Sequence, residues 1–154
     1  MLVQKDLDLE LEIRFAKDED VENVTEFALI ALNDSSMLTV FASDIGSDMM
    51  NRIQTTGPQN TLLALNKNDN NAIIGFAEVD PERSVEGKYY FLSGLYVLPT
   101  FRNRGIASKL VRKMLTDKCP NREELIVTAF DEKEKQVWET LMFKLKSVTL
   151  SLKK

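Results

Sequence analysis

A chain of 154 residues that is 44% hydrophobic and 29% charged fits one globular domain, residues 1–154, with a genuine core. Its net charge of −4 argues against a general nucleic-acid binder, and the absence of histidine beside a single cysteine excludes an internal disulfide, a cysteine-based metal cluster and any Ser-His or Cys-His nucleophile. No apolar run approaches the roughly 20 residues of a membrane span, and Lys5, Asp6 and Asp8 stand where a signal peptide needs an apolar core, so a cytoplasmic protein with no membrane partner is expected.

Leu7, Leu9, Leu11, Ile13 and Phe15 alternate with Asp8, Glu10, Glu12 and Arg14, the period of two that predicts a half-buried strand near a sheet edge. Asp18 or Asp20 then caps a helix whose inward residues are Val21, Val24, Phe27, Ala28 and Ala31. Met37 to Thr56 is less regular: Ser43 opens a short helix carrying Ile45, Met49 and Ile53, and Gly57-Pro58 ends it. Thr61 to Leu65 and Ala72 to Val79 read as a hairpin around a polar loop, and Asp80 to Lys88 as a polar connection.

Tyr89 to Val97 carries no charge and is rich in aromatic and aliphatic residues, which predicts a strand buried on both faces and closed before Pro99. From Ile106 the apolar residues fall at Leu110, Val111, Met114 and Leu115, a helical rhythm. Cys119, next to Pro120 at the helix end, reads as an inert small residue. Glu124 to Ala129 is a short strand, parallel to Tyr89–Val97 by the right-handed crossover rule. Asp131 to Phe143 is a second crossover helix with Val137, Trp138, Leu141 and Met142 inward, and Lys144 to Leu152 a closing strand with Leu145, Val148, Leu150 and Leu152 as its apolar members.

The turn from Arg102 to Gly105 sits at a helix N-terminus, where the first N–H groups lack intrahelical partners and the helix dipole favours an anion. Gly105 permits close backbone approach, Ala107 keeps the wall low, and Arg102 and Arg104 add positive charge, so a phosphate or pyrophosphate is the natural guest. Arg102, Gly105 and Ala107, spaced as Arg/Gln-x-x-Gly-x-Gly/Ala after Leu95-Tyr96-Val97-Leu98-Pro99, resemble the acyl-CoA-binding motif of the GNAT superfamily of N-acyltransferases. The order of elements over about the whole chain is similar to that superfamily's.

The resemblance implies an α/β (α+β) GNAT fold: a mixed central sheet of about six strands, flanked by about four helices and splayed between the fourth strand (Tyr89 to Val97) and the fifth. It implies an acetyl-CoA-dependent N-acetyltransferase, with acetyl-CoA as co-substrate and a small-molecule or protein amine as acceptor. The pyrophosphate would lie on the amides of Asn103, Arg104, Gly105, Ile106, Ala107 and Ser108, with Arg102 and Arg104 as electrostatic support. The pantetheine arm would pair with backbone at Leu95, Tyr96 and Val97, and the Leu95 or Tyr96 amide would polarise the thioester carbonyl.

Family members often carry a Glu or His base on that strand at positions matching Phe91 or Ser93; here they are Phe and Ser, which leaves Glu78, acting through water, as the candidate base. On the last helix the family's frequent asparagine and tyrosine match Asp131 and Trp138, and its glycine matches Met142. Indole N–H donates a hydrogen bond but is no proton source near neutrality, so a catalytically weak or inactive acyl-CoA-binding module of the same fold stands as the alternative. The family usually ends with two strands and only one fits here, which raises a homodimer sharing sheet edges.

Overall fold

The computed structural model describes residues 9–34, 38–39, 51–54, 58–129, 131–148 and 150–153. Leu7, Ser43, Ile45 and Met49 lie outside the described residues. Among the described residues strand β1 (Leu11–Phe15) pairs only with β3 (Thr61–Asn66), which puts it at the sheet edge that its alternation predicts. Helix α1 (Val21–Leu32) buries Val24, Phe27, Ala28 and Ala31. Asp20 occupies its N-cap position without making a cap bond: its carboxylate instead accepts from Arg14 Nη1 at 2.7 Å, Arg14 Nη2 at 3.1 Å and the Lys17 N–H at 2.7 Å, tying the start of α1 to β1.

Strand β2 (Leu38–Thr39) and a helical stretch at residues 51–54 precede the hairpin of β3 and β4 (Ala72–Val85). Then come β5 (Tyr89–Val97), helix α2 (Ile106–Lys118), β6 (Glu124–Ile126) and helix α3 (Glu132–Thr140). The sheet runs β1-β3-β4-β5, and both β2 and β6 lie along the far edge of β5. Among the described residues all ladders are antiparallel except β5–β6, which is parallel as the crossover rule requires.

One face of this mixed sheet packs under α2 and α3, with Leu62, Ala77, Val79, Leu92, Leu95, Ile106, Leu110, Met114 and Trp138 in a common core. The other packs under α1, where Phe27 meets Phe76 and Tyr96 edge-to-face with ring centroids 5.8 Å apart in both pairs. Burial on both faces explains why Tyr89–Val97 reads as an unbroken apolar run.

β5 contains one irregularity that shapes everything beside it. Glu78 pairs with Gly94 but Val79 pairs with Leu92, so Ser93 is an extra residue, a β-bulge that bends the strand and increases its twist. Pairing with β6 stops at Phe91, just before the bulge, and β2 takes the same edge at Gly94 and Leu95. The expected splay therefore has a local cause.

Four expectations are corrected. Lys144 to Leu152 forms no strand in its described residues, and Leu145, Val148, Leu150 and Leu152 are exposed; β6 is only three residues long and offers too little ladder to hold a further strand. Leu115 is exposed rather than inward, since it lies beyond the arc of Ile106, Leu110, Val111 and Met114. Helix α3 ends at Thr140, so Met142 is exposed, at φ 76. β4 runs on to Val85, because the Ser84 hydroxyl accepts the Phe91 N–H at 2.9 Å and donates to Asp80 O at 2.6 Å, mending a ladder that Pro81 interrupts. Among the described residues no helix is long and apolar enough to cross a membrane.

Candidate active site

Beyond β5 the chain turns through Pro99–Phe101 and enters α2 at Gly105, with Asn103 at φ 63 and Gly105 at φ 78. A left-handed N-cap costs a β-carbon-bearing residue strain, and glycine supplies it freely. Having no side chain, Gly105 makes no cap bond to the first-turn amides of Ile106, Ala107 and Ser108. Apart from Gly105 itself and its neighbours along the chain, no atom of the described residues lies within 4 Å of where a β-carbon on Gly105 would stand. Open space before uncapped amides fits a phosphate group held by backbone N–H. Ile106, buried in the core, fixes the direction of that first turn.

The two arginines of the turn face other partners. Arg102 Nε donates to Val97 O at 2.8 Å, its Nη2 lies 3.3 Å from Asp34 Oδ2, and its guanidinium lies over the Tyr96 ring at 5.4 Å. The Tyr96 hydroxyl donates to the same Asp34 oxygen at 2.7 Å. Burial, reinforced by Asp34, raises the Tyr96 phenol above its ordinary value. Arg102 therefore links the turn to β5 and the end of α1. Arg104 lies over the Phe101 ring at 5.5 Å and donates to Thr100 O at 3.4 Å.

Across the α1 face of the sheet lies a buried polar cluster. Glu78 and Ser93 come together at the bulge, where Ser93 Oγ lies 2.6 Å from Glu78 Oε1 and 3.1 Å from Glu78 O. Arg52, from residues 51–54, donates through Nη2 to Glu78 Oε1 at 2.5 Å, and its Nη1 lies 3.5 Å from Asp80 Oδ2. Arg83 Nε approaches Asp80 Oδ2 at 3.6 Å. Burial raises the Glu78 carboxyl above the usual glutamate range, against the opposing charge and hydrogen bond of Arg52 and the hydrogen bond of Ser93. Gly94, paired with Glu78 and carrying no side chain, leaves the sheet surface low beside the carboxylate.

The model of the acetyltransferase (GNAT) family matches residues 21–140. The chain belongs to that family. Among solved structures, the GNAT chain is similar to the aminoglycoside N-acetyltransferase AAC(6')-Iy in complex with CoA, at 21% identity and TM-score 0.62, covering 95% of each chain. A predicted acetyltransferase with acetyl-CoA from Clostridium acetobutylicum is 18% identical at TM-score 0.62, over 94% of this chain and 96% of its own. A Pyrococcus horikoshii chain, 18% identical at TM-score 0.59, is matched over 87% of this chain but only 43% of its own length. No curated protein matches the sequence.

In this GNAT chain the residues for which the resemblance implies a pantetheine contact stand on the edge of β5 past the bulge. Leu95 there pairs with β2, whereas Tyr96 and Val97 have no strand partner on that edge among the described residues. Asp131 caps α3, its Oδ1 accepting the Glu134 N–H at 2.7 Å. Trp138 is 2% exposed within the core, edge-to-face with Phe143 at 5.3 Å, and its indole N–H reaches Glu134 Oε1 at 3.4 Å. Asp131 and Trp138 thus act on the placement of α3. Sequence reasoning missed Arg52, Asp80 and Asp34 as members of these clusters. A charged residue beside inward Ile53 was the one signal for Arg52, and Asp80 was hidden in a stretch that reads as a loop.

Proposed function

We propose that the chain is an acetyl-CoA-dependent N-acetyltransferase in which a small-molecule or protein amine attacks the thioester directly. The observation that carries this reading is the open, uncapped N-terminus of α2 at Gly105, reached from β5, whose edge at Tyr96 and Val97 has no strand partner among the described residues. Acetyl-CoA supplies the activated acyl group, and an amide bond replaces the thioester. In this reading the backbone from Asn103 to Ser108 holds the pyrophosphate, the edge from Leu95 to Val97 aligns the pantetheine arm, and the Leu95 or Tyr96 amide polarises the carbonyl.

An amine with a pKa of about 10.4 is neutral in roughly one molecule in 2,500 at pH 7, so removal of its proton limits the attack. Glu78 is the proton acceptor, through a water, with Ser93 holding the carboxylate on the bulge. The Gly105→Glu variant places a carboxylate in the phosphate's position and is expected to abolish acetyl-CoA binding in calorimetry; unchanged affinity overturns the site.

A second reading, an acyl-CoA-binding module without turnover, is favoured by Trp138, whose burial removes any proton donor from the place of the family's tyrosine. Thiol release from acetyl-CoA over a panel of polyamines, aminoglycosides, amino acids and peptide N-termini separates the two. Turnover on any acceptor supports the enzyme, and tight binding without turnover supports the module. The exposed row Leu145, Val148, Leu150 and Leu152, beside the outer edge of β6 through the Lys146–Glu124 ion pair at 2.8 Å, supports a homodimer that covers this edge. A monomeric mass by light scattering at high micromolar concentration overturns it.

A further inference from the structure

Arg52 crosses from residues 51–54 to the sheet with its side chain 11% exposed, and its planar fork bridges Glu78 and Asp80, whose side chains are each 3% exposed. Lysine, a single point charge, would not span both carboxylates in this way. Glu78 Oε1 receives two donors, Arg52 Nη2 at 2.5 Å and Ser93 Oγ at 2.6 Å, while Oε2 takes no hydrogen bond among the described residues. Glu78 also borders a water-sized hollow whose polar lining includes Asn60 and Thr61. One carboxylate oxygen is held and the other is left for a proton.

We infer that Arg52 is a positioning residue for the proposed transfer: it fixes Glu78 through Oε1 and favours its charged form, with Oε2 turned to the acceptor's proton. This rests on the reading of Glu78 as proton acceptor. A carboxyl this buried would otherwise hold its own proton, and a neutral acid cannot take one from an amine. Among the described residues the charged groups facing Glu78 are Arg52 from residues 51–54 and Asp80 along its own strand, with Arg83 behind Asp80; β5 contributes the neutral Ser93 hydroxyl and β3 the paired Thr61. Asp80 alone would push the proton onto Glu78, and Arg52 offsets it. The ammonium first gives one proton through a water to Oε2, which frees the nitrogen lone pair to attack the acetyl carbon. As the nitrogen–carbon bond forms the carbon–sulfur bond breaks, its electron pair leaves with the CoA thiolate, the thiolate takes up the second nitrogen proton, and Oε2 returns its proton to solvent.

The test combines the pH profile of kcat/KM for acetyl transfer to the panel amine that turns over with a carbon-13 titration of the Glu78 carboxyl. Both are run on wild type, Arg52→Gln, Arg52→Lys and Glu78→Gln. Arg52→Gln is expected to move the acid limb and the Glu78 titration upward together by about one pH unit or more, a tenfold loss of rate on that limb that is regained at alkaline pH. Arg52→Lys, which keeps the charge, restores most of the shift, whereas a merely structural role would lower the rate equally at every pH. A limb lost in Glu78→Gln but unmoved in Arg52→Gln overturns the role of Arg52 alone. A wild-type profile in Glu78→Gln overturns the reading of Glu78 and the inference with it.

Discussion

Met142 shows how one residue records the geometry of its element. The Phe143 N–H bonds Trp138 O at 3.2 Å and the Met142 N–H bonds Glu139 O at 3.0 Å, a Schellman ending for α3, with the Trp138–Phe143 ring contact as its apolar clasp. The left-handed position falls on Met142 at φ 76, where glycine is the unstrained choice. Relieving that strain outweighs the extra freedom glycine gains in the unfolded chain, so Met142→Gly should stabilise the fold by about 0.5–1 kcal/mol in thermal or urea unfolding. Its side chain is 77% exposed, so no packing is lost. The match of Met142 to a family glycine was legible in the sequence; the sign of φ that explains it was not.

At the scale of elements, Gly75 decides how closely β4 and β5 approach. A β-carbon there would lie 2.9 Å from Tyr96 O and 3.3 Å from Val97 Cγ2, and the first of these is backbone that cannot rotate away. Gly75→Ala is expected to destabilise the protein by about 1–3 kcal/mol in urea unfolding and to weaken acetyl-CoA binding, since the displaced residues are those proposed to align the pantetheine arm. Elements with a strong local period were readable: the bounds of β5 and the start of α2 follow from composition and spacing alone. Elements made by distant partners were not. β2 is two residues held by β5, and the continuation of β4 depends on a side-chain hydroxyl standing in for a missing ladder bond. The C-terminal alternation of Leu145, Val148, Leu150 and Leu152 reads as a strand but finds no partner among the described residues.

For the whole molecule, two carboxylates give pH dependence of opposite sign. The hydrogen bond from Arg14 holds Asp20 below the usual carboxylate range, so its stabilisation is present at neutral pH and is lost as pH falls through its folded value. Burial raises Glu78, so its contribution is fully present below the ordinary glutamate range and is lost as pH rises through its folded value. Unfolding free energies measured across pH should show Asp20→Asn flattening the acid side. The stability of wild type relative to Glu78→Gln should fall as pH rises from the ordinary glutamate range. The turn of the candidate site was legible because glycine spacing before a helix is local. The cluster around Glu78 was not, because it joins residues 52, 78, 80 and 93 from separate segments.

The extra residue at Ser93 divides β5 into two halves of opposite parity. Leu92 and Leu95, an odd number of positions apart, share the α2 face, which a regular strand would forbid. Deleting Ser93 would therefore remove far more than a hydroxyl. It would keep Leu92 and Leu95 on one face, now by regular alternation opposite Val79 and Ala77, but straighten β5 and so take away the bend that ends its pairing with β6. A family alignment that gaps this position should thus mark a chain with a different arrangement of the site.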